Sequence, residues 1–356
     1  MRKVVFFTDN GLNKEKVTAP DICKRMSFLK EYDAEMVVVD NAENPCYQFE
    51  DFGEFIMKVE KEGPEWQDYP ESVYKEVEDA EVIITHFGGI SKKVIDAAKN
   101  LKLIVVLRSG IENVNVEVAT ERGIPVVNAP GRVAEPVADF TVAMILAQTR
   151  NVVTMSLNAT GGKWLTAEDV YNGNYMENLK GKTVGLIGFG DIGRRVSARL
   201  KPFGVDILVY DPFIKPEVAE ECGVTSVSQE ELLKNADIVS MHARLLESTR
   251  KMFGKKQFNQ MKPTAIFVNT ARAGLVDEAA LVEALQSKKI LGAALDVFET
   301  EPLPADHPFL SMDNVTLTPH IAGYVSNICY NSFDAAADDV ERYFKGEAMR
   351  NVRNLK

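Results

Sequence analysis

Short apolar runs alternate with longer stretches of helical periodicity along nearly the whole chain. Runs of β-branched and aliphatic residues read as buried strands, and their alternation with amphipathic helices is the pattern of parallel α/β sheets. In the first half, KVVFFTD (3–9), AEMVVVD (34–40), EVIITHF (81–87) and KLIVVLRSG (102–110) predict strands. In the second half, TVGLIG (183–188), DILVYD (206–211), DIVSMH (237–242), TAIFVNTA (264–271), LGAALDVF (291–298) and NVTLTPH (314–320) predict six more. The intervening helices are punctuated as expected. Asp277, for example, is placed to cap EAALVEALQSKK, whose Leu281, Ala284 and Leu285 share one face.

Two sheets follow from this reading, one before about residue 128 and one after it. The boundary segment NAPGRVAEPVADFTVAMILAQTR (128–150) opens with a Pro/Gly loop and becomes a helix that is apolar nearly all round from Val137 to Ala147. Such a helix must be buried on several sides, either between domains or against a second subunit. The last stretch, from about 323, contains a helix (NSFDAAADDVERYF) that could pack back on the first domain. The expected organisation is therefore one domain over 1–127 and 323–356, with a second, over 128–322, inserted into it.

Length and composition agree with two domains. The chain has 356 residues, 46% apolar and 26% charged, so it can bury two cores. Its net charge of −11 argues against a nucleic-acid partner, which would need a concentrated basic face. The uncharged stretch FTVAMILAQT (140–149) is far too short to span a bilayer, and MRKVVFFTDN reads as a strand rather than a signal peptide. Cys23, Cys46, Cys222 and Cys329 are widely spaced with no C-x-x-C pair. Free thiols in a reducing cytoplasm are expected, and no metal site is.

The segment VGLIGFGDIG (184–193) carries chemistry. G-x-G-x-x-G alone is weak, but here a strand pattern precedes it, a helix pattern follows it, and the next strand closes the unit. Gly188 permits the tight turn, Gly190 lets backbone approach a pyrophosphate, and Gly193 lets helix and strand pack closely. Asp211 lies 18 residues after Gly193 at the tip of the next strand. A carboxylate there accepts from ribose hydroxyls and repels a 2′-phosphate, which favours NAD over NADP.

A nicotinamide cofactor needs a group that moves a proton, and imidazole titrates near neutrality. There are four histidines. His86 ends a strand of the first domain, and His307 sits in a turn. His242 and His320 follow strands of the second domain, at the carboxyl ends where doubly wound sheets bind ligands. His242 falls on the nucleotide side and His320 at the nicotinamide end. Arg272 lies just beyond one strand end, Asp296 at the tip of another and Glu301 in the loop after it. A guanidinium fork can hold a carboxylate and polarise the neighbouring carbonyl, while a glutamate can orient and charge the imidazole.

The segments GKTVGLIGFGDIGRRVSARLKPFGVDILVYDP, ADIVSMHARLLESTRKMFG, FVNTARAGLVDEAALVEAL, GAALDVFETEPLP and NVTLTPHIAG resemble the D-isomer-specific 2-hydroxyacid dehydrogenases. RSGIENVNVEVATERGIPVVNAPG and YFKGEAMRNVRN extend the resemblance over nearly the whole chain. The resemblance implies that Arg272, Glu301 and His320 form the catalytic triad, with Asp296 near the nicotinamide carboxamide. It implies that backbone N–H groups around Ser109 and Gly110 join Arg272 in binding the substrate carboxylate. Further cofactor contacts are implied at Asp191, Ile192, His242, Ala243, Thr249, Thr270, Ala271, Ala322 and Gly323. The family fold sets a Rossmann NAD-binding domain into a discontinuous, flavodoxin-like substrate domain. Its dimers are built partly on the helix matching 137–150.

The chain departs from the family pattern at three places. The usual G-x-D-N-V-D reads GIENVN, with Glu112 and Asn115; Arg-Gly reads Arg272-Ala273; and V-A-E reads Val137-Ala138-Asp139. The loop THFGGIS (85–91) lacks the arginines that phosphoglycerate dehydrogenases would place there, so an unphosphorylated acid is expected. No regulatory domain is expected after residue 356. The reading is reversible hydride transfer between NAD and C2 of a small 2-hydroxy or 2-oxo acid, similar to phosphoglycerate dehydrogenase or to hydroxypyruvate and glyoxylate reductases. The alternatives are a non-catalytic, corepressor-like NAD sensor of the same fold and an NAD enzyme of different chemistry, such as formate oxidation.

Overall fold

The computed structural model describes residues 1–40, 48, 49, 52–164, 166, 178–326 and 328–355, without the side chains of 52, 53, 329 and 335. Two compact units emerge: Met1–Arg132 with Val325–Lys356, and Val133–Tyr324.

In the first unit, β1 (Arg2–Phe7), β2 (Ala34–Val39), β3 (Ala80–Thr85), β4 (Leu103–Val106) and β5 (Val126–Asn128) form a five-stranded sheet of order β2-β1-β3-β4-β5. Every pairing is parallel. This is the flavodoxin-like order. Alternate residues feed opposite faces, as the two-residue strand period requires. Val4, Phe6, Val82, Ile84 and Val105 build one core. Val5, Phe7, Ile83, Ile104 and Val106 build the other. The helix Ile328–Lys345 covers the first of these faces with Phe333, Ala336, Ala337, Val340 and Phe344.

In the second unit, β6 (Thr183–Ile187), β7 (Asp206–Tyr210), β8 (Thr225–Ser226), β9 (Ile238–Met241), β10 (Ile266–Asn269), β11 (Gly292–Leu295) and β12 (Val315–Leu317) form a seven-stranded sheet. Its order is β12-β11-β10-β9-β6-β7-β8, parallel throughout. Read outward from β6, this is the dinucleotide-binding order extended by one strand, with the topological switch between β6 and β9. The helix Ala134–Thr149 is buried within this unit: Ala138, Val142 and Ile145 pack with Val184, Leu186, Val268 and Ala294. Its acidic positions meet the helix after the glycine turn, where Asp139 pairs with Arg199 at 2.6 Å and Glu135 with Arg195 and Arg199.

β5 and β8 were not among the sequence-predicted strands. At three and two residues they are too short for apolar alternation to register. The first unit runs on to Arg132, five residues beyond the expected end at 127, and the Arg132 guanidinium is held within that unit. It donates to Leu107 O and Ser332 Oγ, both at 3.3 Å, and faces His86 Nε2 at 2.8 Å. Cys23 and Cys222 carry free thiols. Cys46 and the Cys329 side chain lie outside the described residues.

Candidate active site

Gly188, Asp211, His242, Arg272, Asp296, Glu301 and His320 each sit at the carboxyl rim of the seven-stranded sheet or in a loop leaving it, whereas His307 sits before a 3₁₀ turn. Gly188 ends β6 with φ +93°. A Cβ there would stand 2.5 Å from Ala243 N, on the neighbouring β9 end. Only glycine satisfies both the left-handed backbone and that approach. A Cβ on Gly193 would meet Gly188 O at 2.7 Å, so helix and strand are in backbone contact. Around Gly190, by contrast, a Cβ would meet nothing within 4 Å.

The helix Asp191–Leu200 begins there with no side chain capping its N-terminus. Its first N–H groups and its dipole are thus available to an anion. Asp211 accepts from Phe189 N–H and Phe213 N–H, both at 2.8 Å, so its carboxylate is fixed beside the turn. Asp191, at the helix start, has its carboxyl raised by burial against the opposing charge of Arg194. These residues fit a dinucleotide: an open glycine cradle, an uncapped helix and a fixed ribose acceptor. A Gly188→Ala change should destabilise the fold by about 1–3 kcal/mol and abolish NADH binding. Thermal melts and NADH fluorescence titration would show both, and parental values in the two would refute the assignment.

Towards the other edge of the sheet, β10, β11 and β12 present the chemical groups. Asn269, at the end of β10, accepts from Ala271 N–H and donates to Arg272 O, each at 3.1 Å, and this turn projects Arg272 outward. Asn269 was not read from the sequence, although asparagine at a strand end signals such a turn. Ala273 occupies a 3₁₀ turn without left-handed backbone, so glycine is not required there. Thr270 shares a hydroxyl hydrogen bond of 2.7 Å with Thr141. Thr249 fastens its own loop by donating to Arg244 O at 2.6 Å.

After β11, Asp296 is fully buried and accepts from Thr318 Oγ1 at 2.6 Å, Ile321 N–H at 3.0 Å and Ala322 N–H at 2.9 Å. It thereby shapes the loop after β12, in which His320 adopts φ +54°. Gly323 follows against Val133. His320 Nδ1 lies 2.8 Å from Glu301 Oε2, and Glu301 Oε1 accepts from Phe298 N–H at 3.0 Å. Burial pushes the Glu301 carboxyl up. The His320 and Phe298 hydrogen bonds, with the charges of His320 and Arg272, outweigh burial and hold it below the ordinary carboxylate value. Glutamate and imidazole are thus engaged, with the guanidinium close enough to act on the same carboxylate.

The remaining histidines have other surroundings. Burial pushes His242 down to about 4, so it is neutral at physiological pH; its Nε2 lies 3.0 Å from Ser240 Oγ. In the first unit, His86 is buried between Asp9 Oδ2 at 3.1 Å and Arg132. Because the guanidinium can only donate, His86 Nε2 accepts and Nδ1–H donates to Asp9. In the 109–115 loop, the Glu112 carboxylate lies against Gly110 and 3.5 Å from Arg108. Asn115 caps the helix Val116–Glu121 by accepting from Val118 N–H at 3.0 Å, a task at which asparagine equals the usual aspartate.

The family model of the D-isomer specific 2-hydroxyacid dehydrogenase NAD binding domain matches residues 142–322. The chain belongs to the D-isomer specific 2-hydroxyacid dehydrogenase family. It is 41% identical over 287 residues to D-3-phosphoglycerate dehydrogenase of Methanocaldococcus jannaschii, a match covering 80% of this chain but only 54% of that relative. The chain thus spans about half the length of that enzyme. To glyoxylate reductase of Korarchaeum cryptofilum it is 37% identical over 79% of this chain and 85% of the relative. The solved structure of D-lactate dehydrogenase with NAD+ from Lactobacillus jensenii aligns with TM-score 0.72 and 25% identity over 99% of this chain and all of that one. Within this dehydrogenase family, the NAD-binding assignment of the second unit and its glycine turn coincide.

Proposed function

We propose that this protein is an NAD-dependent dehydrogenase that interconverts small D-2-hydroxy acids and 2-oxo acids. The observation that carries the proposal is the His320–Glu301 pair at 2.8 Å, on the rim that also carries Arg272 and, two strands away, the glycine turn. Gly188, Gly190, Asp191, Ile192 and Gly193 would hold the pyrophosphate end and Asp211 the ribose. Ala243, Thr249, Thr270, Ala271, Asp296, Ala322 and Gly323 would line the rest. Bound nicotinamide supplies or accepts the hydride.

The chain's own groups do the remainder. Arg272 grips the substrate carboxylate with its fork and polarises the adjacent carbonyl. His320, oriented by its bond to Glu301, gives a proton to the substrate oxygen in reduction and takes it back in oxidation. Ser109 and Gly110 offer backbone N–H groups to a carboxylate. The substrate is proposed to be unphosphorylated: among the described residues of 85–91, Thr85 donates to Gly88 O and His86 is tied to Asp9 and Arg132, leaving no free cation there.

A homodimer is also proposed, on the exposed Val152, Leu157 and Trp164 along and after the helix Val152–Thr160. A cytoplasmic location is proposed from the free thiols. No helix among the described residues is long and apolar enough to cross a membrane. The test is a panel of 2-oxo acids (glyoxylate, hydroxypyruvate, pyruvate and phosphorylated hydroxypyruvate) with NADH, followed by NADH absorbance. Turnover of an unphosphorylated member supports the proposal. No turnover of any, with NADH bound, would favour the sensor reading instead.

A further inference from the structure

The loop after β11 that carries Glu301 is anchored by residues that the mechanism above does not use. Glu278 opens the helix Glu278–Gln286 and is largely buried; so is His307, 29 residues further along. Glu278 Oε2 accepts from Glu299 N–H at 3.0 Å, and Glu278 Oε1 lies 3.2 Å from His307 Nε2. His307 Nδ1 accepts from Phe309 N–H at 3.3 Å, so the ring proton sits on Nε2 and is donated to Glu278. One carboxylate therefore clamps both ends of the loop, two residues before Glu301 and six after it. The helix N-terminus favours its negative charge.

We propose that Glu278 and His307 are positioning residues for the hydride-transfer site: they fix the loop so that Glu301 keeps its bonds to Phe298 N–H and His320. The kinetic part of this inference rests on the proposed dehydrogenase activity; the geometric part does not. The charged groups facing the clamp are Asp277, Lys251 and Glu299, with Lys251 paired to Glu299 at 3.1 Å. Those facing Glu301 are His320 and Arg272.

Two effects of a Glu278→Ala change have opposite signs. Removing a nearby negative charge alone would lower the Glu301 carboxyl further. Releasing the loop weakens the bonds that hold it down, so its titration rises. The positioning role predicts a rise in the Glu301 titration, read by NMR of carboxyl-labelled glutamate with Glu301→Gln to assign the signal. It also predicts a kcat loss of roughly ten- to a hundredfold, an acid limb moved to higher pH, and unchanged NADH affinity. Glu278→Gln keeps one of the two bonds and should fall between. His307→Ala should move the Glu301 titration in the same direction by less, and it stands as the test if Glu278→Ala does not fold. A Glu301 titration that stays or falls, with parental kcat, overturns the proposal. A rise in a protein that reduces no 2-oxo acid would leave the clamp standing and remove the dehydrogenase reading instead.

Discussion

A His320→Asn variant should retain the fold, bind NADH normally and lose roughly 10²–10⁴-fold in kcat for reduction of its best 2-oxo acid. His320 holds φ +54°, a backbone region that asparagine enters readily and most other residues do not. The loop is further held by Asp296 through Ile321 N–H and Ala322 N–H, neither of which involves the imidazole. The substitution therefore removes the proposed proton donor and its bond to Glu301, and little else. Its pH profile should lose the descending alkaline limb that deprotonation of an imidazolium imposes on reduction. Glu301→Gln should cost less, since an amide oxygen can still orient the ring while no longer favouring its charged form. Steady-state rates from mildly acid to alkaline pH, with NADH binding measured separately, decide the matter. A His320→Asn enzyme within a few-fold of the parent would remove His320 from the mechanism.

The parts of this site that the sequence revealed are those set by strand ends. Arg272, Asp296 and His320 each follow an apolar run, and adjacent parallel strands bring such positions to one rim whatever lies between them in the chain. Gly188 was legible for a related reason: a glycine after a β-branched run and before a helix is a backbone requirement, and the 2.5 Å approach to Ala243 N is its physical cause. The clamp of Glu278 and His307 was not legible. Its members are 29 residues apart, and each reads alone as an ordinary surface charge or turn histidine. Only the return of the loop after β11 to the start of the helix that precedes β11 brings them together, and no local pattern encodes that. The departures behave in the same way. Asn115 can be understood from its capping position, whereas the placement of the Glu112 carboxylate against Gly110 is a property of the folded loop.

Arg272→Lys should lower kcat/KM by roughly 10²–10³-fold, and Arg272→Ala by more, with the loss shared between KM and kcat. The guanidinium is solvent-exposed, its Nη1 donating to Ala271 O at 2.7 Å, and the turn beneath it depends on Asn269 rather than on the arginine side chain. Substitution should therefore leave stability nearly unchanged, which separates a chemical role from a structural one. Lysine keeps the charge, so Glu301 should remain depressed in Arg272→Lys and rise modestly in Arg272→Ala, where one of the charges holding it down is gone. What lysine cannot reproduce is the planar fork that meets both oxygens of a carboxylate while lying against the carbonyl to be reduced. If the charge alone mattered, Arg272→Lys would track the parent; if the fork matters, it will resemble Arg272→Ala in rate while resembling the parent in the Glu301 titration. Kinetics with one 2-oxo acid, set beside that carboxyl titration, distinguish the two cases.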